Sequence, residues 1–176
     1  MKGLNISLRA PEPADIDLIY GWENDPEIWQ VSNTLTPYSR YDIEQFVLHQ
    51  RHDLFASKQL RLMIVTNADK FTIGAIDLFD FEPLHRRAGV GILVTREQRQ
   101  KGVASEALQL LTAYCFNTLN LHQLYCHITP DNQPSIDLFS KSGFERSGIC
   151  KHWINHGGEW KDVIFMQLIN SKFSKV

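Results

Sequence analysis

The chain is short of several things, and each shortage removes a class of function. It has three cysteines in 176 residues. Cys115, Cys126 and Cys150 are far apart, with no C-x-x-C pair. That spacing gives neither a disulfide framework nor a zinc site. It suits a reducing compartment, so the cytoplasm is expected. No H-E-x-x-H occurs, and no metal is expected. Excess charge of one sign is also missing: 18 Lys and Arg stand against 20 Asp and Glu, which argues against a nucleic-acid partner. No apolar run approaches the roughly 18 residues of a membrane span, and Met1-Lys2-Gly3-Leu4-Asn5 lacks the apolar centre of a secretion signal. A membrane partner is therefore not expected. Neither G-x-x-x-x-G-K-[ST] nor G-x-G-x-x-G is present, which excludes a Walker A loop and a dinucleotide fingerprint.

What remains is an ordinary globular composition, 43% hydrophobic and 22% charged, long enough for one domain over residues 1–176. Ile6 and Leu8 alternate in a first strand, Asn5–Arg9. Pro13 and Pro26 open helical pieces, the first with Ile16, Ile19 and Tyr20 as its apolar stripe. Ser39 caps a longer helix through Ile43, Phe46, Val47 and Leu54. Leu60–Thr66 and Phe71–Phe81 read as a hairpin about Asn67-Ala68-Asp69, and Arg87–Thr95 as the next strand. Gly102–Leu119 is the clearest helix, with Ala104, Ala107, Leu108, Leu111, Tyr114, Cys115 and Thr118 at helical spacing. A strand follows at Gln123–Thr129 and a short helix at Asn132–Ser142, which Gly143 ends. Two strands, Phe144–Ile154 and Trp160–Ile169, then flank the turn residues Asn155-His156-Gly157-Gly158. The order predicts an α/β (α+β) fold with one mixed sheet.

The informative stretch is Val90–Ser105, where a strand ends, a basic loop follows and a helix opens at Gly102. A helix start presents unpaired N–H groups and about half a positive charge, which draws phosphate. Between residues 85 and 105, Arg86, Arg87, Arg96, Arg99 and Lys101 stand against Glu97 alone. Arg99-Gln100-Lys101-Gly102-Val103-Ala104 matches the R/Q-x-x-G-x-G/A signature of the GCN5-related N-acetyltransferase (GNAT) superfamily. Asn132 through Phe144 resembles that family's second motif, an Asn-opened helix closing in L-Y-x-K-x-G-F. Leu84–Ala88, Leu119–His122 and Trp153–Gly158 are similar to the ribosomal-protein N-terminal acetyltransferases and the spermidine (diamine) acetyltransferases.

The resemblance implies a GNAT fold: a mostly antiparallel sheet of about seven strands with a splayed central pair, flanked by about four helices. It implies acetyl-CoA as co-substrate. Ile92, Leu93 and Val94 would pair their backbone with its pantetheine arm. The amides of Arg99, Gln100, Lys101, Gly102, Val103, Ala104 and Ser105 would cradle the pyrophosphate. Asn132 would bond the arm, and Phe139 and Lys141 would line its outer edge.

Amide formation needs an amine that has lost its proton, a donor for the oxyanion and an outlet for the thiolate. The resemblance puts the oxyanion donor on the strand backbone near Leu93. Two of its usual acid–base positions are empty here: the Tyr of L-Y-x-K is Phe139, and a Glu frequent in the central strand is Gly89. That leaves Asp77, Asp80, Glu82, His85 and His127, with the Asp77–Glu82 stretch favoured. Residues 11–30 carry Glu12, Asp15, Asp17, Glu23, Asp25 and Glu27 and no Lys or Arg. Such a stretch would suit a cationic acceptor, and would equally suit the wet face of a helix. Trp22, Trp29, Tyr38 and Tyr41 could pack around an ammonium or lie in the core. The expected function is acetyl transfer to a small cationic amine or polyamine, by direct attack in a ternary complex. A protein N-terminus as acceptor and a non-catalytic acyl-CoA sensor are the alternatives, and a homodimer is left open.

Overall fold

Ile6 and Leu8 alternate with Ser7 and Arg9, and β1 (Ile6–Arg9) buries the first two almost completely. The next strands of the sheet instead carry runs of consecutive buried residues, 62–65 and 73–76 among them, as strands covered on both faces do. The computed structural model describes residues 1–32, 35–48 and 54–173. These divide into two compact units: the described residues of Met1–Arg9 with Leu54–Val176, and those of Ala10–Asp53.

The first unit holds β1, β2 (Leu60–Thr66), β3 (Thr72–Glu82), β4 (Arg87–Val94), β5 (Gln123–Ile128), β6 (Glu145–His156) and β7 (Glu159–Ile169). They form one seven-stranded sheet in the order β1-β2-β3-β4-β5-β7-β6. Every pairing is antiparallel except β4 with β5. A parallel pair needs a long crossover, and the chain between these two strands supplies a helix. Their ladder is short, covering Arg87↔Gln123, Ala88↔Leu124 and Gly89↔Tyr125. Beyond Gly89 the two strands part, so the expected splayed central pair is present.

The crossover helix, α5 (Val103–Asn117), buries Ala107, Leu108, Leu111 and Cys115 at zero exposure. It packs against β1, β3 and β4, and its apolar stripe meets Ile76, Leu78, Ala88 and Val90 in one core cluster. A fully buried leucine contributes about 1.5–3 kcal/mol, so this face fixes the helix, and with it the helix start. α6 (Gln133–Lys141) is capped by Asn132, whose side chain accepts from Ser135 N–H at 3.3 Å. It stops where Gly143 takes φ +90°, as a glycine past a helix end allows. A four-residue helix, α4 (Leu54–Ser57), precedes β2.

The second unit contains α1 (Ile16–Glu23), α2 (Pro26–Ser32) and α3 (Arg40–Leu48). Ile16, Ile19, Ile43 and Val47 are its buried apolar residues. Tyr20, expected in the buried stripe, is 37% exposed. Ser39 caps α3 as expected: its hydroxyl accepts from Asp42 N–H at 3.1 Å and donates to the Asp42 carboxylate at 2.6 Å. Six helices stand among the described residues where about four were expected. Pro26 starts its own helix, as expected, while Leu54, expected at the end of the Ser39 helix, opens α4 instead.

Candidate active site

The end of β4 runs through a short turn into the loop before α5. Gly102 is the N-cap residue, with φ +80° and no side-chain cap. A Cβ built there would meet nothing within 4 Å. The helix start is thus uncapped, and the space beside Gly102 is open. Arg99, Gln100 and Lys101 are beside it, and all three are exposed. Arg99 also ties the loop to the strand, its Nε donating to the Val94 carbonyl at 3.1 Å. The one acid in the first turn is held aside: the Glu106 carboxylate accepts from Asn5 N–H at 2.8 Å and from Asn5 Nδ2 at 3.0 Å. Burial pushes that carboxyl's pKa up, but the bonds from the Asn5 side chain and from the backbone of Asn5, Ile6 and Leu4 outweigh it and hold it below its ordinary value. A cavity of about 460 Å³ runs along this side, lined by Gly3, Asn5, Gly102, Ser105, Glu106 and Gln109 among others.

The ladder decides which way the β4 backbone faces. Thr95 N–H donates to Ile73 O at 3.0 Å, so odd-numbered residues direct their peptide groups toward β3. Arg86 O accepts from His122 N–H at 2.6 Å, so even-numbered residues direct theirs toward β5. Leu93 stands opposite Ala75 and its amide is spent there. Ile92 and Val94 face the side that β5 has left. The assignment of Leu93 as oxyanion donor is corrected on this ground. Of the three residues expected to present backbone to the arm, only Ile92 and Val94 direct their peptide groups away from β3.

Asn132 spends its carbonyl oxygen capping α6, and its amide N–H groups have no partner among the described residues. Phe139 is 3% exposed and stacks edge-to-face on Phe144 with ring centroids 4.9 Å apart. It belongs to the core and offers the arm almost no surface, a second correction. Lys141 is exposed at the end of the same helix.

A cavity of about 530 Å³ lies on the sheet where β4 and β5 begin to part, lined by Lys58, Asp80, Phe81, Glu82, Arg87, Gln123, Tyr125, His127, Phe165 and Gln167. Glu82 is there, accepting from Leu84 N–H at 3.1 Å. Asp77 is not among the lining residues. Both of its oxygens bond Arg61, from Nε and Nη2 at 2.9 Å each, across the Arg61↔Asp77 register pair. With both oxygens engaged by a guanidinium and neither on the cavity, Asp77 is corrected from an acid–base candidate to a structural one. His85 is exposed on the hairpin and does not line the cavity.

His127 was among the sequence-based candidates and lines this cavity, but its partners Tyr125 and Phe165 were not. Tyr125 meets Phe79, His127 and Phe165 with centroids 6.0, 5.6 and 5.6 Å away, and His127 meets Phe165 at 5.1 Å. Period-two alternation along β5 and β7 is the signal that could have found them, since 125, 127, 165 and 167 share one face. Burial pushes the Tyr125 phenol up, and the charge of Asp80 adds to it, to about 12. Burial lowers the His127 pKa against an opposing pull from Asp80, so the imidazole is mainly neutral at pH 7. Phe79 also accounts for Gly89. A Cβ at residue 89 would overlap three carbons of the Phe79 ring, so that ring fills the space into which a residue-89 side chain would project.

In the second unit the acidic stretch is largely engaged. Asp15 is buried and accepts from Glu12 N–H at 2.8 Å, Asp17 pairs with Arg40 at 2.6 Å, and Asp25 accepts from Glu27 N–H at 2.9 Å. Trp29 Nε1 donates to the Glu23 carbonyl, and Tyr38 and Tyr41 are exposed. Among the described residues, no group of three His, Cys, Asp or Glu could hold a metal ion, and no helix is long and apolar enough to cross a membrane.

A model of the acetyltransferase (GNAT) domain family matches residues 5–145. Spermidine N(1)-acetyltransferase of Vibrio cholerae is 28% identical over 169 residues, covering 96% of this chain and 95% of its own. An uncharacterized N-acetyltransferase, p20, of Bacillus licheniformis is 28% identical over 170 residues, covering 96% and 95%. The crystal structure of the Vibrio cholerae spermidine N-acetyltransferase in complex with CoA and spermine has a TM-score of 0.84 at 28% identity, covering 96% of this chain and 97% of that one.

Proposed function

The chain belongs to the GNAT acetyltransferase family, whose members use acetyl-CoA, and from that premise we propose that it acetylates the primary amine of a small cationic molecule, a polyamine among them. One observation carries the reading: an open, uncapped helix start at Gly102 and an aromatic-lined cavity holding Asp80 and Glu82 sit on the same splayed strand pair, β4 and β5. The spermidine and spermine named for the relatives are cations of this class. The family model spans residues of both units, which supports one acetyltransferase domain. The unpaired cysteines support a reducing, cytoplasmic setting.

The loop from Arg99 to Ser105 holds the donor's diphosphate. The backbone of Ile92 and Val94 and the free amide of Asn132 bond its pantetheine arm. The acceptor amine attacks the thioester carbon while an outward N–H of Ile92 or Val94 steadies the oxyanion. The amine's proton passes to Glu82 or His127, directly or through water, and the thiolate leaves as the C–S bond breaks. A thiol with an ordinary pKa near ~8.5 departs without an acid, so Phe139 does not forbid the step. The test is thiol release from acetyl-CoA over a panel of polyamines, alkylamines and peptides, with products weighed by mass spectrometry. Acetylated alkylamine is the expected result. Acetylated peptide N-termini alone would move the assignment to a protein acceptor. Acetyl-CoA binding without any product would overturn it in favour of a sensor.

A further inference from the structure

β3 and β4 run in register down to Phe79↔Gly89, then resume at Glu82↔Arg87. β3 takes three steps there and β4 takes two, so β3 carries one extra residue. Asp80 lies in this bulge with φ +48°. Strict alternation would put residue 80 on the face of Ile76 and Leu78, which are core. The bulge turns the carboxylate to the opposite face instead, and re-aiming a side chain beside a site is what such bulges commonly do. Aspartate is among the residues that tolerate this left-handed backbone best.

Re-aimed in this way, Asp80 lines the 530 Å³ cavity and its Oδ2 accepts from the Tyr125 hydroxyl at 3.3 Å. Tyr125 is the last β5 residue in register with β4, so the pair stands where the strands separate. The phenol remains a donor through the neutral range, with its pKa raised to about 12 by burial first and Asp80 second. Neutral His127 brings no competing positive charge. The two cations on the cavity, Lys58 and Arg87, are exposed. Arg87 lies opposite Glu82, and neither cation is ion-paired to Asp80 among the described residues. A carboxylate bonded to Tyr125, in a cavity that the Tyr125 and Phe165 rings also line, attracts an alkylammonium by charge and by the ring faces together.

We propose that Asp80 is the carboxylate that seats the acceptor's ammonium, that Tyr125 holds it in place, and that this pair makes the enzyme select amines carrying a positive charge. The inference rests on the amine-acceptor reading and assigns its specificity to named groups.

Wild type, Asp80→Asn and Tyr125→Phe are compared on spermidine, on butylamine and on an arylamine that is uncharged at neutral pH. Asparagine keeps the size and the tolerance of positive φ while removing the charge. Losing a charge-assisted bond raises KM for both alkylamines about tenfold or more, with kcat, KM for acetyl-CoA and the arylamine KM little changed. Tyr125→Phe raises the alkylamine KM by a smaller factor. An alkylamine KM in Asp80→Asn within about twofold of wild type, less than one such bond is worth, overturns the proposal. Should wild type acetylate no amine, the broader reading fails separately, and calorimetric titration of spermidine into both proteins with CoA present decides Asp80. Binding lost in Asp80→Asn sustains the seat; equal binding, or none to wild type, removes it.

Discussion

Replacing Gly102 with valine separates the fold from the donor site. Gly102 sits at φ +80°, where an L-residue costs roughly 1–2 kcal/mol and a β-branched one somewhat more. No protein atom lies within 4 Å of the added Cβ, so no packing penalty joins that strain. About 2 kcal/mol against a typical 5–15 kcal/mol leaves the protein folded. For a chain of this length it lowers the thermal midpoint by roughly 4–8 °C. The donor suffers more. The isopropyl group occupies the open space beside the uncapped N–H groups of α5, where the diphosphate is to sit. Losing one or two charge-assisted bonds, at about 1.5–3 kcal/mol each, weakens acetyl-CoA binding at least about tenfold. Calorimetric titration with acetyl-CoA reads the affinity, and differential scanning fluorimetry reads the midpoint. A midpoint that falls as expected while affinity holds within about twofold, a change smaller than one such bond, would refute the assignment of this loop.

Gly89→Ala drives a Cβ into the Phe79 ring and costs about 1–3 kcal/mol by overpacking. In Phe79→Ala the same change costs little, so a double-mutant cycle by urea denaturation shows strong coupling, and additive losses would contradict the contact. Phe139→Tyr restores a hydroxyl at the position the family uses for its acid. Turnover is expected to rise by less than about threefold, because a thiol of ordinary pKa leaves unaided; a large rise with a displaced alkaline limb in the pH–rate profile would show that thiolate protonation limits the wild type. Burial pushes the Cys115 and Cys126 thiols up to about 12. Their share of stability is therefore complete below the unfolded thiol value near 9 and is lost as pH climbs toward 12. With a thiol reagent at pH 8, native protein labels at Cys150 alone and denatured protein at all three; native labelling of Cys115 or Cys126 would refute their burial.

Local chemistry makes much of this fold readable from the chain alone. The α5 stripe, the Ser39 cap, the glycine past α6 and the alternation of β1 each follow from side-chain spacing within a few residues. The donor loop is readable for the same reason, since its function lies in backbone groups whose position follows from a strand end, a glycine and a helix start. The acceptor side is not, because it depends on register. Asp77 and Asp80 are both acids on one strand, and composition cannot separate them. Asp77 is ion-paired because Arg61 stands opposite it on β2, while Asp80 faces the cavity because one inserted residue reverses the pleat. Leu93 is illegible in the same way: parity along an antiparallel ladder turns its amide toward Ala75, and only a pairing partner fixes parity. Gly89 looks like a missing acid in the sequence because its reason, the Phe79 ring, lies across the sheet. Register thus divides what is legible from what is not. A one-residue deletion in the bulge therefore offers a structural check on Asp80 that no side-chain replacement can. It returns residues after Phe79 to strict alternation, so the carboxylate leaves the cavity face with the composition of the strand otherwise unchanged. The alkylamine KM of a folded deletion variant is expected to rise as it does in Asp80→Asn, and a KM equal to that of wild type would contradict the role of the bulge.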